Sequence, residues 1–355
     1  MTKADYELIL NSFGQKLKQL ATGYRNQPEA DTPLKQVIIS AFRANPWFTP
    51  ANILMAMENW AVALDKEKVE QWLASYTIPV NNPKTIGVIN AGNIPFVGLH
   101  DLLSVVVSGH TYLGKNASDD NTLLPFAASL ITEIAPSLKP SIRFTEQMKG
   151  MDAVIATGSN NSARYFEYYF GKYPHIIRRN RNGIAVLTGK ESEAELKLLG
   201  NDIFTYFGLG CRNVSKLYVP ENYSFNTFFE SIYDQNEVMN HNKYMNNFDY
   251  NNSILLLKQI PFLQNGFLIV MEDERIASPI SMLHFEYYSD LKAVEKSLSE
   301  KTDQINASFQ KTNFFHRPIT HKDQHPIWHH TKTGIMGLCG WSGYYYGIGK
   351  VVNDF

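Results

Sequence analysis

The sequence predicts an α/β protein of two domains built on parallel sheets, and three observations carry the prediction. From Thr85 onward, short apolar runs of strand character (TIGVIN, HTYLG, DAVIATG and GIAVLTG) are separated by segments long enough for crossover helices. Ahead of residue 80 the pattern is helical. Beyond residue 190 helical and strand patterns alternate again, and 355 residues can bury two cores.

The helical start is marked by its caps. Thr32-Pro33 and Thr49-Pro50 each place a capping hydroxyl before a proline suited to a first helical turn, and Asp65 opens a third helix over KEKVEQWLASY. The four strands follow. ESEAELKLLGNDIFTYF is a helix leading to Cys211, and NYSFNTFFESIYDQ, GFLIVME, SMLHFEYY and DLKAVEKSLSE supply the alternation of the second unit. The chain contains no internal repeat and no low-complexity tract.

A net charge of -1 and a pI near 6.8 give no electrostatic case for binding nucleic acid or an anionic membrane. The two cysteines, Cys211 and Cys339, cannot form a disulfide framework, which favours a reducing compartment. The start, MTKADYELILNSFGQKLKQL, lacks the continuous apolar stretch of a signal peptide, and no run approaches the length of a bilayer span. A soluble, cytoplasmic protein with no membrane insertion is expected.

Chemistry concentrates in FTYFGLGCRNVSKLYVP, where Cys211 follows Gly208 and Gly210 and precedes an apolar run. A tight turn presents a thiolate to a carbonyl carbon while neighbouring N–H groups face the developing oxyanion. The competing reading makes Cys211 a small buried hydrophobe. Upstream lie VINAGNIPFVGLHDLLSVVVSG, then HTYLGKNASDDN, then DAVIATGSNNS.

This order and spacing resemble the aldehyde dehydrogenase superfamily, with its Asn-x-Pro turn, a strand ending in Lys-Pro-Ser, a strand ending in Thr-Gly-Ser and a Gly-x-x-Cys turn. ANPWFTPANILMAMENWAVALDKEKVEQWL and NIPFVGLHDLLSVVVSG are similar to the acyl-CoA reductases related to the fatty-acid reductase of bacterial luminescence systems. The resemblance runs from about Phe42 to about Ser299. It implies an aldehyde dehydrogenase-like α/β fold with a Rossmann-type cofactor domain and an α/β catalytic domain. The N-terminal helices and cofactor domain take residues 1–189, the catalytic domain 190–320, and a C-terminal segment 321–355, which packs back on the cofactor domain or on a partner subunit.

The resemblance also assigns roles. Cys211 is the nucleophile and Asn93 the side-chain oxyanion donor, although Asn93 also suits a turn before Pro95. Lys115 matches the lysine that holds the adenosine ribose, its alternative being a solvated lysine in a polar loop. Gly158 and Ser159 form a small-residue turn suited to the cofactor pyrophosphate, though the usual second glycine is absent. Glu274 falls near the glutamate that holds the nicotinamide ribose, beside Ser278-Pro279.

Two departures shape the expected reaction. Asn116 replaces the proline, and Ser118 stands where NAD-preferring members often carry glutamate, which favours NADPH while leaving NADH possible. Residues 172 to 189 contain no carboxylate where hydrolytic members place a water-activating glutamate. A thioester that persists on Cys211 suits NADPH-dependent reduction of an acyl-CoA to an aldehyde. The alternatives are an acyl phosphate or free aldehyde as substrate, or a non-catalytic cofactor-binding partner subunit. A homo-oligomer or an acyl-donor partner protein is expected. Arg178, Arg179 and Arg181 meet phosphates or form a solvated basic loop.

The histidines from His316 to His330 include His325 and His329, four apart, but Pro326 disfavours a helix there, and no metal site is expected. GIMGLCGWSGYYYGIGK reads as a packed strand or subunit contact. Cys339 within it is the weaker nucleophile candidate.

Overall fold

A computed structural model describes residues 1–301 and 304–310, with side chains described as far as Ile305. Two compact units divide between Asn180 and Arg181. In the first, α1 (Lys3–Asn26), α2 (Pro33–Ala44), α3 (Pro50–Ala63) and α4 (Lys66–Leu73) form the helical start. Thr32 and Thr49 accept from the N–H groups of Lys35 and Asn52 at 3.2 Å each, so both caps act as the sequence implies. Tyr6, Leu10, Phe13, Leu17 and Ala21 recur at helical spacing and bury one face of α1, which packs on α3.

The rest of the first unit winds β1 (Thr85–Ile89), α5 (Leu99–Val107), β2 (Thr111–Lys115), α6 (Leu123–Ile134), β3 (Ile142–Phe144), β4 (Ala153–Thr157), α7 (Asn160–Phe170) and β5 (His175–Arg178). The sheet order is β3-β2-β1-β4-β5, parallel throughout. After β3 the chain crosses to the other side of β1, which makes the carboxyl ends of β1 and β4 the switch point where an open α/β sheet binds ligands.

The second unit contains β6 (Asn182–Val186), α8 (Glu193–Phe204), β7 (Val214–Pro220), α9 (Asn226–Ser231), α10 (Asn242–Leu257), β8 (Leu263–Gln264), β9 (Ile269–Glu272), β10 (Met282–Tyr288), α11 (Leu291–Glu300) and β11 (Ile305–Gln310). Its sheet runs β11-β6-β7-β10-β9-β8, parallel except for the antiparallel edge strand β8. Ile184, Val186, Tyr218 and Ile276 pack with Val294 and Leu298 of α11 to form one of its cores.

The division differs from the sequence expectation of a boundary near Gly189. GIAVLTG supplies β6, which pairs with β7 and β11 in the second sheet. Strand character alone does not say which sheet a strand joins. The segment 321–355 lies outside the described residues. Among the described residues, no helix is long and apolar enough to cross a membrane.

Candidate active site

Ile89 stands in register with Lys115 on one side and Ala156 on the other, so β1, β2 and β4 end together. The loop after β1 carries Asn93, which is exposed. Buried Asn90 starts that loop: its N–H donates to the Lys115 carbonyl at 2.9 Å, and its Nδ2 donates to the Tyr112 hydroxyl at 2.8 Å and to Asn116 Oδ1 at 3.1 Å. Asn116 therefore has a use that proline in its place lacks. Asn45, from the helical start, donates to the Gly92 carbonyl at 3.1 Å and holds the loop one residue before Asn93.

Beyond the loop, Asp101 in the first turn of α5 receives Arg178 Nη1 at 2.6 and 2.9 Å. Burial opposes charge on Asp101, but the Arg178 guanidinium and a hydrogen bond from His100 hold its carboxyl well below the usual range. Arg179 pairs with Glu167 at 2.6 Å. The two arginines thus form ion pairs at the end of β5, Arg178 with a buried partner and Arg179 at the surface.

Lys115 ends β2 and forms no ion pair among the described residues. Ser118 is exposed and donates to Asp119 Oδ1 at 2.9 Å, so a carboxylate does occupy this turn, one residue after the position the sequence left neutral. Asp120 is buried, and desolvation raises its carboxyl to about 6 even though it accepts from the Leu123 and Thr122 N–H groups. Ser159 caps α7 by accepting from Ser162 N–H at 3.2 Å. A Cβ on Gly158 would lie 2.9 Å from Phe166 and from Ser162, so the glycine allows β4 to turn closely into the helix.

In the second unit, Tyr206, Phe207 and Gly208 take left-handed backbone in succession, with φ of 52°, 58° and 77°. Side chains at such positions cost about 1–3 kcal/mol each and persist only where the surroundings over-determine them. The Phe207 ring lies 4.3 Å from that of His241, and Asn213 holds the chain beyond. Asn213 N–H donates to the Gly210 carbonyl at 3.0 Å, closing a turn with Cys211 and Arg212 at its centre. Cys211 is exposed, which excludes the buried-hydrophobe reading.

The segment after β9 carries Glu274, which is exposed. Its main chain docks on β7: Ser215 Oγ donates to the Ile276 carbonyl at 2.7 Å, and buried Lys216 donates to the Asp273 carbonyl and pairs with Glu286 at 2.7 Å. Buried His284 reaches the Arg275 carbonyl at 3.0 Å, and burial lowers the pKa of both Lys216 and His284. The turn with Cys211 and the loop with Glu274 thus share β7 as their support.

Two further carboxyls stand in this unit. Glu191 lies just beyond the segment the sequence found free of acids, but Thr188 and Gly189 saturate it with bonds of 2.7, 2.7 and 3.1 Å. It follows the carboxyl end of β6, whereas the Cys211 turn abuts the amino end at Gly183, about 10 Å along the strand from Val186. Asp202 in α8 is buried, and desolvation raises it to about 7. No sequence signal marked it, because an aspartate inside LLGNDIF looks like one on a solvated helix face. Among the described residues, no group of three or more His, Cys, Asp or Glu is arranged to hold a metal. His316 to His330, Cys339 and the segment GIMGLCGWSGYYYGIGK lie outside the described residues.

No protein-family model matches the sequence, and no curated protein matches it. Solved structures do. The NAD-dependent benzaldehyde dehydrogenase of Corynebacterium glutamicum superposes with a TM-score of 0.59 at 12% identity, over 88% of this chain and 77% of that one. The aldehyde dehydrogenase KauB of Pseudomonas aeruginosa gives 0.60 at 11% identity, over 87% and 76%. Aldehyde dehydrogenase 21 of Physcomitrella patens, solved with its product succinate, gives 0.58 at 14% identity, over 88% and 74%. With a five-stranded doubly wound sheet in one unit and a parallel sheet entered through a cysteine turn in the other, the chain has the aldehyde dehydrogenase fold.

Proposed function

We propose that the protein is a nicotinamide-dependent oxidoreductase that reduces an acyl-CoA thioester to an aldehyde, with NADPH as the preferred cofactor. The observation that carries the reading is the exposed Cys211 at the centre of a constrained turn, in a chain whose segment 172 to 189 has no carboxylate. Cys211 as thiolate attacks the thioester carbonyl, and collapse of the tetrahedral oxyanion releases CoA thiolate, which takes up a proton. Asn93 donates to that oxyanion through its side-chain amide. A bound nicotinamide supplies the hydride that replaces sulfur at the acyl carbon. Cys211 leaves as thiolate, and the aldehyde is released.

The first unit fits a dinucleotide. Asn90 Oδ1 is buried at the switch point with no partner among the described residues, and α7 begins at Asn160, directly after its cap Ser159, with the positive end of its dipole, which favours an anion. Lys115 favours a 2′-phosphate, while Asp119 opposes it. Preference for NADPH therefore rests on the lysine outweighing an exposed acid. Glu274 orients the nicotinamide ribose in this reading.

The test is mass spectrometry of the protein mixed with a series of acyl-CoA thioesters, followed by turnover with NADPH and with NADH. The expected result is an acyl adduct on Cys211, absent in Cys211→Ala, with NADPH binding unchanged and NADPH turned over faster. An adduct confined to Cys339 removes Cys211 from the mechanism, and faster turnover with NADH reverses the cofactor assignment.

A further inference from the structure

We propose that Asn213 is the positioning residue of the Cys211 nucleophile, and the proposal rests on the reading of Cys211 as acyl acceptor. Asn213 is 3% exposed, and its side-chain amide and main-chain carbonyl together tie three parts of the second unit. Oδ1 accepts from the Gly210 N–H at 2.7 Å, drawing the start of the turn onto its end. Nδ2 donates to the carbonyls of Asp202, Ile203 and Thr205 at 2.9, 3.3 and 2.9 Å, fixing the turn to the end of α8 and the residue that follows it. The Asn213 carbonyl accepts from Gly183 N–H at 2.9 Å and brings β6 against the turn. A Cβ on Gly183 would stand 2.5 Å from the Arg212 carbonyl oxygen and 2.8 Å from that of Asn213, so this approach admits no larger residue.

The chemistry of the side chain explains the choice of asparagine. The site needs an acceptor for one N–H and donors for carbonyls in a single short planar group. Aspartate keeps the acceptor but sets a carboxylate against the three carbonyls. Alanine leaves all four main-chain groups without this partner, two of them in buried and two in partly buried surroundings, where an unmade bond is costly. The turn it closes carries Cys211 directly after Gly210, so a loosened amide displaces the sulfur. Displacement of a reacting atom by about 1 Å costs on the order of 100-fold in rate, because attack requires a narrow approach to the carbonyl.

The experiment compares wild type with Asn213→Ala and Asn213→Asp. Four quantities are read: the single-turnover rate of Cys211 acylation by acyl-CoA, the rate of Cys211 alkylation by iodoacetamide, the melting temperature, and hydrogen exchange in the peptide 204 to 214. Positioning predicts acylation slowed about 100-fold per folded molecule, with alkylation by the small reagent within about threefold. It also predicts faster exchange confined to 204 to 214. Asn213→Asp should move the alkylation midpoint to higher pH as well, because a nearby carboxylate disfavours the thiolate. Wild-type acylation rates in both variants, or a loss that follows only the unfolded fraction, overturn the proposal. Should Asn213→Ala not fold, Asn213→Ser retains a short hydroxyl and takes its place. If wild type is acylated by no thioester, the proposed function fails instead. Exchange then decides the turn, supporting the clamp if it rises only in 204 to 214 and overturning it otherwise.

Discussion

At the scale of single residues, Asn93 separates a catalytic donor from a turn residue. It is exposed, while its neighbours Asn90 and Gly92 carry the bonds that fix the loop, to Tyr112, Asn116 and Asn45. Those bonds are made by residues other than Asn93 and do not depend on its side chain. Asn93→Ala should lower kcat by about 100-fold, the usual effect of removing one oxyanion donor, with little change in KM. Steady-state kinetics checks this, and an unaltered kcat assigns the oxyanion to other donors. Cys211 was legible because two glycines precede the thiol ahead of a strand. Asn213 was not: its partners are main-chain carbonyls at 202, 203 and 205, and main-chain groups leave no mark in a sequence.

Among elements, α8 has a property the sequence hides. Its N-terminus shows an open signature in Ser192 and Glu195, which form a capping box. Near its other end it buries Asp202 with the carboxyl raised to about 7 by desolvation. A carboxyl raised above its unfolded value holds its proton more tightly in the folded protein, so its contribution is complete below about pH 4 and is lost as pH rises through about 7. Asp202→Asn removes that dependence. Relative to wild type, the variant should gain stability from pH 4 to pH 7 and level off above, with an upper bound of about 4 kcal/mol. Urea unfolding at pH 5, 6, 7 and 8 measures it, and a difference that does not vary with pH shows that Asp202 is solvated. Other elements escaped the sequence for plainer reasons: β3 has three residues, β5 lies inside a basic run, and α10 opens with the polar stretch NKYMNNFDYNN.

For the molecule as a whole, the fate of a thioester on Cys211 depends on which bases surround it. Glu191 is held by Thr188 and Gly189 and lies at the far end of β6. Given an aldehyde and oxidised cofactor, the protein should therefore form little free acid until CoA is added, because CoA ionises more readily than water and attacks more strongly. Quantifying acid and acyl-CoA with and without CoA tests this. Rapid acid formation without CoA would show that another residue supplies the base, and would move the assignment to a hydrolytic aldehyde dehydrogenase.

The sequence by itself determined the local rules of this chain. Thr32 and Thr49 start helices through their own hydroxyls, apolar runs of strand length become strands, and the order of turns from Asn93 to Cys211 resembles one superfamily. These properties depend on neighbours within a few residues, or on the order of such segments. The tertiary structure alone decided which sheet GIAVLTG joins, that Arg178 reaches Asp101, and that one buried asparagine closes the turn around the nucleophile. Each depends on groups that meet only once the chain has folded, and on burial, which sets the strength of a charge or a hydrogen bond and which no local pattern records.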